Sequence, residues 1–280
     1  MHVLTTRDQL AEWVSSQRKE HKTIGFVPTM GALHQGHLAL VMRAKSENDL
    51  AVSSIFVNPI QFNNKEDLEK YPRNKEADSA LLKQAGCDAV FMPSVEEMYP
   101  EGEVTETHNF GTLEQVMEGT FRPGHFNGVA VVVKRLLQLS NPHRAYFGEK
   151  DYQQLQIIKA LVKKEKMEVE IIPCPIVREA DGLAMSSRNM RLTAENRALA
   201  PFIHRVMQQA ADFQRSKSVS ELKSWVADQF KPQSVFQLEY FEISDAETLE
   251  VVQNWNSGQQ TIACIAIWLG GIRLIDNIKL

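Results

Sequence analysis

The chain has 280 residues, a length that suits one large or two medium domains. Hydrophobic residues make up 43% and charged residues 24%, the proportions of a globular protein with a well-buried interior. The formal net charge is −4 and no Lys/Arg run exceeds Lys163-Lys164, so a nucleic-acid partner is not expected.

Cys87, Cys174 and Cys264 are odd in number and have no CxxC spacing, which argues against a disulfide framework or a structural zinc site. They read as buried, reduced thiols. The N-terminal residues lack an apolar stretch of signal-peptide type, and the apolar run Ile262 to Leu269 is too short to cross a bilayer. A cytoplasmic protein with no membrane partner is expected.

In chain order, 23–28 reads as a buried strand. A helix over 37–44 follows, with Leu38, Val41 and Met42 on one side. Residues 51–57 form a second strand. A helix over 75–85, with Ala77, Leu81 and Leu82 inward, stops at Gly86. A third strand covers 88–92. The segment 98–127 is loop-like, with a turn of helix near Leu113 to Met117, and long loops are often functional. An apolar helix over 129–139 ends at Asn141-Pro142. Strand 145–147, helix 152–164 and strand 169–172 come next. Strands alternating with helices imply a Rossmann-like, doubly wound parallel sheet. After Val177 the pattern changes to a polar loop, a long helix from about Thr193, a helix over 220–230, and strands over 235–243, 261–268 and 272–275. This predicts a nucleotide-binding domain over 1–176 and a smaller α+β domain over 177–280.

The strongest chemical signal is Pro28-Thr29-Met30-Gly31-Ala32-Leu33-His34-Gln35-Gly36-His37, at the carboxyl end of the first strand and opening a helix. Open α/β sheets bind ligands there, and free N–H groups at a helix start attract phosphate. Gly31 and Gly36 let the main chain approach closely. His34 and His37, three apart, point to one side and suit a phosphoryl group gaining negative charge. Zinc held by the two histidines is the competing reading, without a matching cysteine spacing.

Phe147-Gly148-Glu149-Lys150-Asp151 is the second signal: Gly148 for close approach, Lys150 for phosphate charge, Asp151 for a hydroxyl or a helix cap. Met185-Ser186-Ser187-Arg188 suits a triphosphate and could form part of a lid. Gln61 and Gln154 could hydrogen-bond a hydroxy acid without adding charge. Arg122 and His125 sit in a rigid RPGHF loop that could shape a pocket. Glu76 and Asp78 could hold Mg²⁺ through water, although a solvated helix face explains them equally well.

PTMGALHQGH, FVNPIQFN, YPRN, RPGHFNGV, YFGEKDYQQL and READGLAMSSRN occur in this order, and RLIDN follows near the end. Together they resemble the pantothenate synthetase family (pantoate–β-alanine ligases, AMP-forming) over nearly the whole chain. The resemblance implies an HxGH nucleotidyltransferase-type domain, a C-terminal lid and a homodimer. It further implies adenylation of pantoate by Mg-ATP, then attack by β-alanine. By motif, Met30 to His37, Gly148 to Asp151, Val177 and Met185 to Arg188 make the ATP site. His34, His37 and Lys150 act at the phosphates, with His37 the family's assigned proton donor. Gln61 and Gln154 hold pantoate, and Gln61 also serves β-alanine.

The chain departs from the family pattern at Val131 (commonly Thr), at Asn74-Lys75-Glu76-Ala77 (commonly more acidic) and at Ile272 (often Thr). None is assigned to chemistry, but the Ala77 difference weakens the metal reading. Two alternatives compete. A mononucleotide adenylyltransferase would want basic residues for an acceptor phosphate, where this chain offers Gln61 and Gln154. An ATP-sensing module is opposed by the intact His34, His37, Lys150, Ser186, Ser187 and Arg188.

Overall fold

The computed structural model describes residues 1–62, 65–69, 71–101, 106–213 and 216–280. The last residue of the FVNPIQFN motif and part of the 98–127 loop lie outside them. The chain opens with β1 (His2–Leu4) and α1 (Arg7–Lys19), which the periodicity above does not assign. Three residues are too few for a period-2 signal, and α1 is mostly solvated, burying Leu10 and Val14. A reciprocal cap starts it: Thr6 Oγ1 accepts from the Gln9 N–H, and the Gln9 side chain accepts from the Thr6 N–H.

Next come β2 (Ile24–Thr29), α2 (Gln35–Glu47), β3 (Leu50–Ile55), α3 (Lys65–Glu69), α4 (Lys75–Gln84), β4 (Ala89–Phe91) and α5 (Val95–Met98). They are followed by α6 (Glu118–Phe121), α7 (His125–Ser140), β5 (Arg144–Gly148), α8 (Tyr152–Lys164) and β6 (Glu170–Cys174). The expected parallel sheet is present, with six strands in the order β1-β4-β3-β2-β5-β6. From β2 the chain winds outward through β3 and β4, then crosses back to place β5 on the other side of β2. The topological switch point therefore lies between the carboxyl ends of β2 and β5, where a doubly wound sheet opens a crevice.

One face of the sheet packs on α1, α7 and α8 through Leu10, Phe26, Phe91, Leu137 and Ile158. The other packs on α2 and α4 through Val27, Val41, Leu82 and Tyr146. Most of α7 is buried, Val131 included, with Asn127, Lys134, Arg135 and Gln138 as its less buried polar residues. Two expected inward residues are corrected. Met42 is 51% exposed and Ala44 is buried in its place. Ala77 is exposed whereas Asp78 is buried, because Asp78 is drawn inward by backbone donors described below.

The remaining elements are α9 (Ala194–Leu199), α10 (Pro201–Asp212), α11 (Val219–Phe230), β7 (Phe236–Asp245), β8 (Thr261–Leu269) and β9 (Ile272–Lys279). The expected long helix is split at Ala200-Pro201, since Pro201 has no N–H to continue the ladder. The three strands form an antiparallel sheet with β8 central, and their apolar faces pack on α10 and α11 as a second core. Cys87, Cys174 and Cys264 are all buried free thiols. Among the described residues no helix is long and apolar enough to cross a membrane.

A buried ionic cluster joins the two halves. Arg273 of β9 donates to both oxygens of Glu118 in α6 (2.6 and 2.8 Å) and to Glu239 of β7, while the Tyr240 hydroxyl donates to Glu118 at 2.8 Å. Burial pushes the Glu118 carboxyl up, but Arg273, Tyr240 and Arg122 together hold it down at about 2. That lies below the unfolded value of about 4.3, so the stability Glu118 contributes is complete above that pH and is lost as pH falls toward 2. Replacing Arg273 with Ala strands a buried carboxylate and should lower the unfolding free energy by about 3–5 kcal/mol at neutral pH in urea denaturation. Without Arg273, burial is opposed less and the Glu118 carboxyl moves up, so the gap from the parent chain should narrow as pH falls and Glu118 takes up its proton in the variant first; a gap constant with pH would contradict this account.

Candidate active site

The turn after β2 is shaped from beneath by Asp78. Its carboxylate accepts from the Ala32 N–H (2.9 Å) and the Leu33 N–H (2.8 Å), and the chain wraps it through consecutive left-handed residues, Gly31 (φ 84°) and Ala32 (φ 50°). Thr29 Oγ1 accepts from the Gly31 N–H and donates to the Ser54 carbonyl, tying the turn to β3.

At the start of α2 the two histidines cap each other's backbone. His34 Nδ1 accepts from the Gly36 N–H at 3.2 Å, and His37 Nδ1 accepts from the His34 N–H at 3.3 Å. Their rings lie 4.0 Å apart between centroids, tilted by 38°. Gly36 is required because an added Cβ would sit 2.9 Å from the His34 ring. The N–H groups of Gly31, Ala32, Leu33, His34, Gly36 and His37 are therefore all bonded internally. This corrects the expectation of bare amides for those six residues, and the imidazoles are the side-chain donors that the turn offers the cleft. With each Nδ1 accepting, a neutral ring carries its proton on Nε2. Burial, then Lys150, lowers His34 to about 4; burial, then His34 and Lys150, lowers His37 to about 3. Both are neutral donors at pH 7.

Across the switch point stands the turn Glu149–Asp151. Lys150 is largely buried, with its Nζ 3.7 Å from Asp151. Asp151 is exposed and makes no side-chain cap on α8, so the helix-cap reading is set aside. Gly148 has open space where a Cβ would point.

The segment after β6 closes a third side. Met185 N–H donates to the Val177 carbonyl, Ser186 caps the 3₁₀ turn Ser187–Arg191 through the Arg188 N–H, and Ser187 bonds Tyr71. A Cβ on Gly36 would lie 3.7 Å from that of Met185, so this loop abuts the histidine turn.

Gln61 ends the 3₁₀ turn Pro59–Gln61 and is 8% exposed. Its Oε1 accepts from Asn58 Nδ2 at 3.1 Å, and its Nε2 approaches Met30 Sδ at 3.0 Å. His125, lowered to about 4 by burial and then by Arg122, donates from Nδ1 to the Gln61 carbonyl at 2.9 Å. Gly128 makes the contact possible: a Cβ there would lie 2.5 Å from the Ile60 carbonyl oxygen and 2.6 Å from Gln61 Cα. Gln154, one turn into α8, lines the same space.

These parts surround one cleft. Met30, His34, Gly36, His37, Gln61, Gly148, Lys150, Asp151, Gln154, Val177 and Met185 to Arg188 all line it. Gly31, Ala32 and Leu33 instead wrap Asp78, Gln35 is exposed, and the Glu149 carboxylate faces Lys279. Arg122 and His125 line it as the loop reading suggested. Tyr71, which opens the YPRN motif but was given no role from the sequence, lines it too. No cysteine lines the cleft, and among the described residues neither His34 nor His37 belongs to a group of three side chains close enough to hold one metal ion.

A family model described as pantoate-beta-alanine ligase matches residues 2–279. The chain is 50% identical to a pantothenate synthetase of Porphyromonas gingivalis over 279 residues, covering 100% of this chain and 99% of that protein. It is likewise 50% identical to one from Bacteroides fragilis, with the same coverage. The crystal structure of pantothenate synthetase from Thermus thermophilus superposes with a TM-score of 0.92 at 44% identity, covering 99% of each chain. A pantoate-beta-alanine ligase from Francisella tularensis, complexed with beta-gamma ATP and beta-alanine, gives 0.83 at 37%, covering 99% of this chain and 97% of that one. By sequence along its whole length and by fold, the chain belongs to the pantoate-beta-alanine ligase family.

Proposed function

We propose that the cleft at the β2/β5 switch point carries out both steps of the family's reaction, the ATP-dependent condensation of pantoate with β-alanine. The observation that carries this reading is the pair of neutral imidazoles facing Lys150 across a cleft that Gln61, Gln154 and Arg188 also line.

A carboxylate oxygen of pantoate attacks the α-phosphorus of ATP, the bond to the pyrophosphate oxygen breaks, and pantoyl adenylate forms. The β-alanine amine then attacks the acyl carbon, the bond to AMP breaks, and the amide is left. In the first step negative charge gathers on the phosphoryl oxygens. Nε2–H of His34 and His37 and the Lys150 ammonium are fixed donors for that charge in a water-poor site. With a value near 3, His37 works by donating a hydrogen bond rather than by handing over a proton. Phosphoryl transfer needs positioning and charge stabilisation more than proton chemistry. Ser186, Ser187 and Arg188 close over the pyrophosphate end. Gln61, steadied by Asn58, His125 and Gly128, and Gln154 from the opposite wall hold pantoate, and Gln61 then meets β-alanine.

Mg²⁺ on the ATP phosphates would neutralise charge as pyrophosphate leaves. Asp151 is the carboxylate lining the cleft that could hold its water shell. Asp78, the candidate suggested by sequence, has both oxygens engaged by backbone N–H groups and reads as the turn's anchor. A boundary near 176/177, a lid role for 177–280, a homodimer and a cytoplasmic location belong to the same reading.

Pantoate-dependent ATP–pyrophosphate exchange tests the assignment. Exchange should require pantoate and should not be driven by a mononucleotide; the reverse would overturn the ligase reading in favour of an adenylyltransferase. His37→Ala should slow this exchange by about 10²–10³-fold while changing pantoate affinity little. A variant that loses pantoate binding but keeps the exchange rate would refute the role given to His37. Because both imidazoles lose their proton well below neutrality, the exchange rate should show no fall from a group titrating near 6.5. Protonation of these rings should depress the rate only as pH drops toward 4, and an acid limb centred near 6.5 that disappears in His37→Ala would contradict the neutral-donor account.

A further inference from the structure

We infer that two adjacent residues of β9, Asp276 and Asn277, are positioning residues that set both phosphate-facing loops of the cleft from the C-terminal sheet. The inference rests on the ATP reading of those loops given above.

Asn277 is 5% exposed, and its Nδ2 donates to two main-chain carbonyls of the first half, those of Glu149 (2.8 Å) and Lys150 (2.9 Å). Those carbonyls belong to the turn that carries Lys150 to the cleft. Its neighbour Asp276 is 4% exposed and holds Arg178 by a bidentate pair, 2.7 and 2.9 Å. Arg178 also donates to the Gly182 carbonyl and bridges Ala184 in a short antiparallel contact, which shapes the loop leading to Met185 and Arg188. Because successive strand residues face opposite ways, one dipeptide reaches two separate loops. Asn277 shares its face with Arg273 and Lys279, both of which also bond residues of the first half: Glu118 and Glu149. The Asp276 carboxylate also accepts from the Asn277 N–H at 2.8 Å, so the two anchors are joined through the backbone.

The geometry constrains the chemistry. Two converging carbonyl oxygens need an N–H donor, and an amide supplies both hydrogens from one nitrogen. Alanine at 277 leaves two acceptors unmet, and aspartate, nearly the same shape, presents an anion to them. Only guanidinium matches the Asp276 carboxylate with two parallel bonds, so lysine at 178 keeps the charge and loses the orientation.

The test is the pantoate-dependent exchange reaction with ATP and pantoate varied separately, alongside thermal melting of the same variants. Asn277→Ala should raise KM for ATP by about ten- to a hundredfold, since each hydrogen bond that a displaced turn loses to a charged group is worth about tenfold or more. The value for pantoate should change much less. Asn277→Asp should be worse than Asn277→Ala despite its closer shape, and Arg178→Lys should again affect ATP more than pantoate. Equal losses for both substrates that follow the melting temperature would overturn the inference, as would an Asn277→Asp variant better than Asn277→Ala. Should Asn277→Ala not fold, Asn277→Ser, which keeps one donor, takes its place under the same criteria. Lys150→Ala separates the two readings. If it leaves the ATP dependence intact, the ATP assignment of that turn has failed; if it raises the ATP requirement while the Asn277 variants do not, only the β9 inference has failed.

Discussion

The site depends on the way His34 and His37 are locked to the first turn of α2. Each imidazole uses Nδ1 to satisfy a backbone N–H that a helix start would otherwise leave to solvent or to a polar cap. An aspartate cap would meet the same need but would leave no donor, and a serine cap would have to accept and donate through one short-armed oxygen. Imidazole has two nitrogens, so the ring that caps the helix also presents a hydrogen to the cleft. Burial then keeps both rings neutral, which preserves the capping lone pair: a protonated ring could not accept at Nδ1 and would break its own support.

Asp78 extends this arrangement one layer down. A buried carboxylate beneath the turn gathers the Ala32 and Leu33 N–H groups and fixes the left-handed passage of the chain. The cleft is thus supported from three directions: α4 below through Asp78, α7 at one side through His125 and Gly128, and the second sheet through β9. Rigid elements hold each polar group, which is the condition for stabilising charge without rearrangement during the reaction.

Much of this was legible in the sequence, and the misses have physical causes. The parallel sheet follows from alternating apolar runs and the loops of His34 and Lys150 from glycine-bearing strand ends, whereas the Met185–Arg188 loop and the two glutamines gain their meaning from the family resemblance. The role of Asp78 did not, because a carboxylate on a helix gives no sign of whether it meets water or the backbone of a loop 46 residues away. The same long-range pull explains the wrong face predicted for Ala77. Local reasoning read the amides of the glycine turn as open, since it counts donors at a helix start but not the acceptors that tertiary structure brings. The break at Pro201 was visible as a proline but was read through, and α1 was missed because its buried stripe holds only two apolar residues.

The bonds from Asn277 to the carbonyls of Glu149 and Lys150 span 128 and 127 positions of sequence. All six strands of the parallel sheet lie within residues 2–174 and leave the ribosome well before β9, yet the lysine-bearing turn lacks its anchor until β9 has emerged. Contacts so distant in sequence close late and slowly. A prematurely ended polypeptide would therefore carry every strand of that sheet without the anchor of its lysine-bearing turn, and the finished geometry arrives with the last strand to be made.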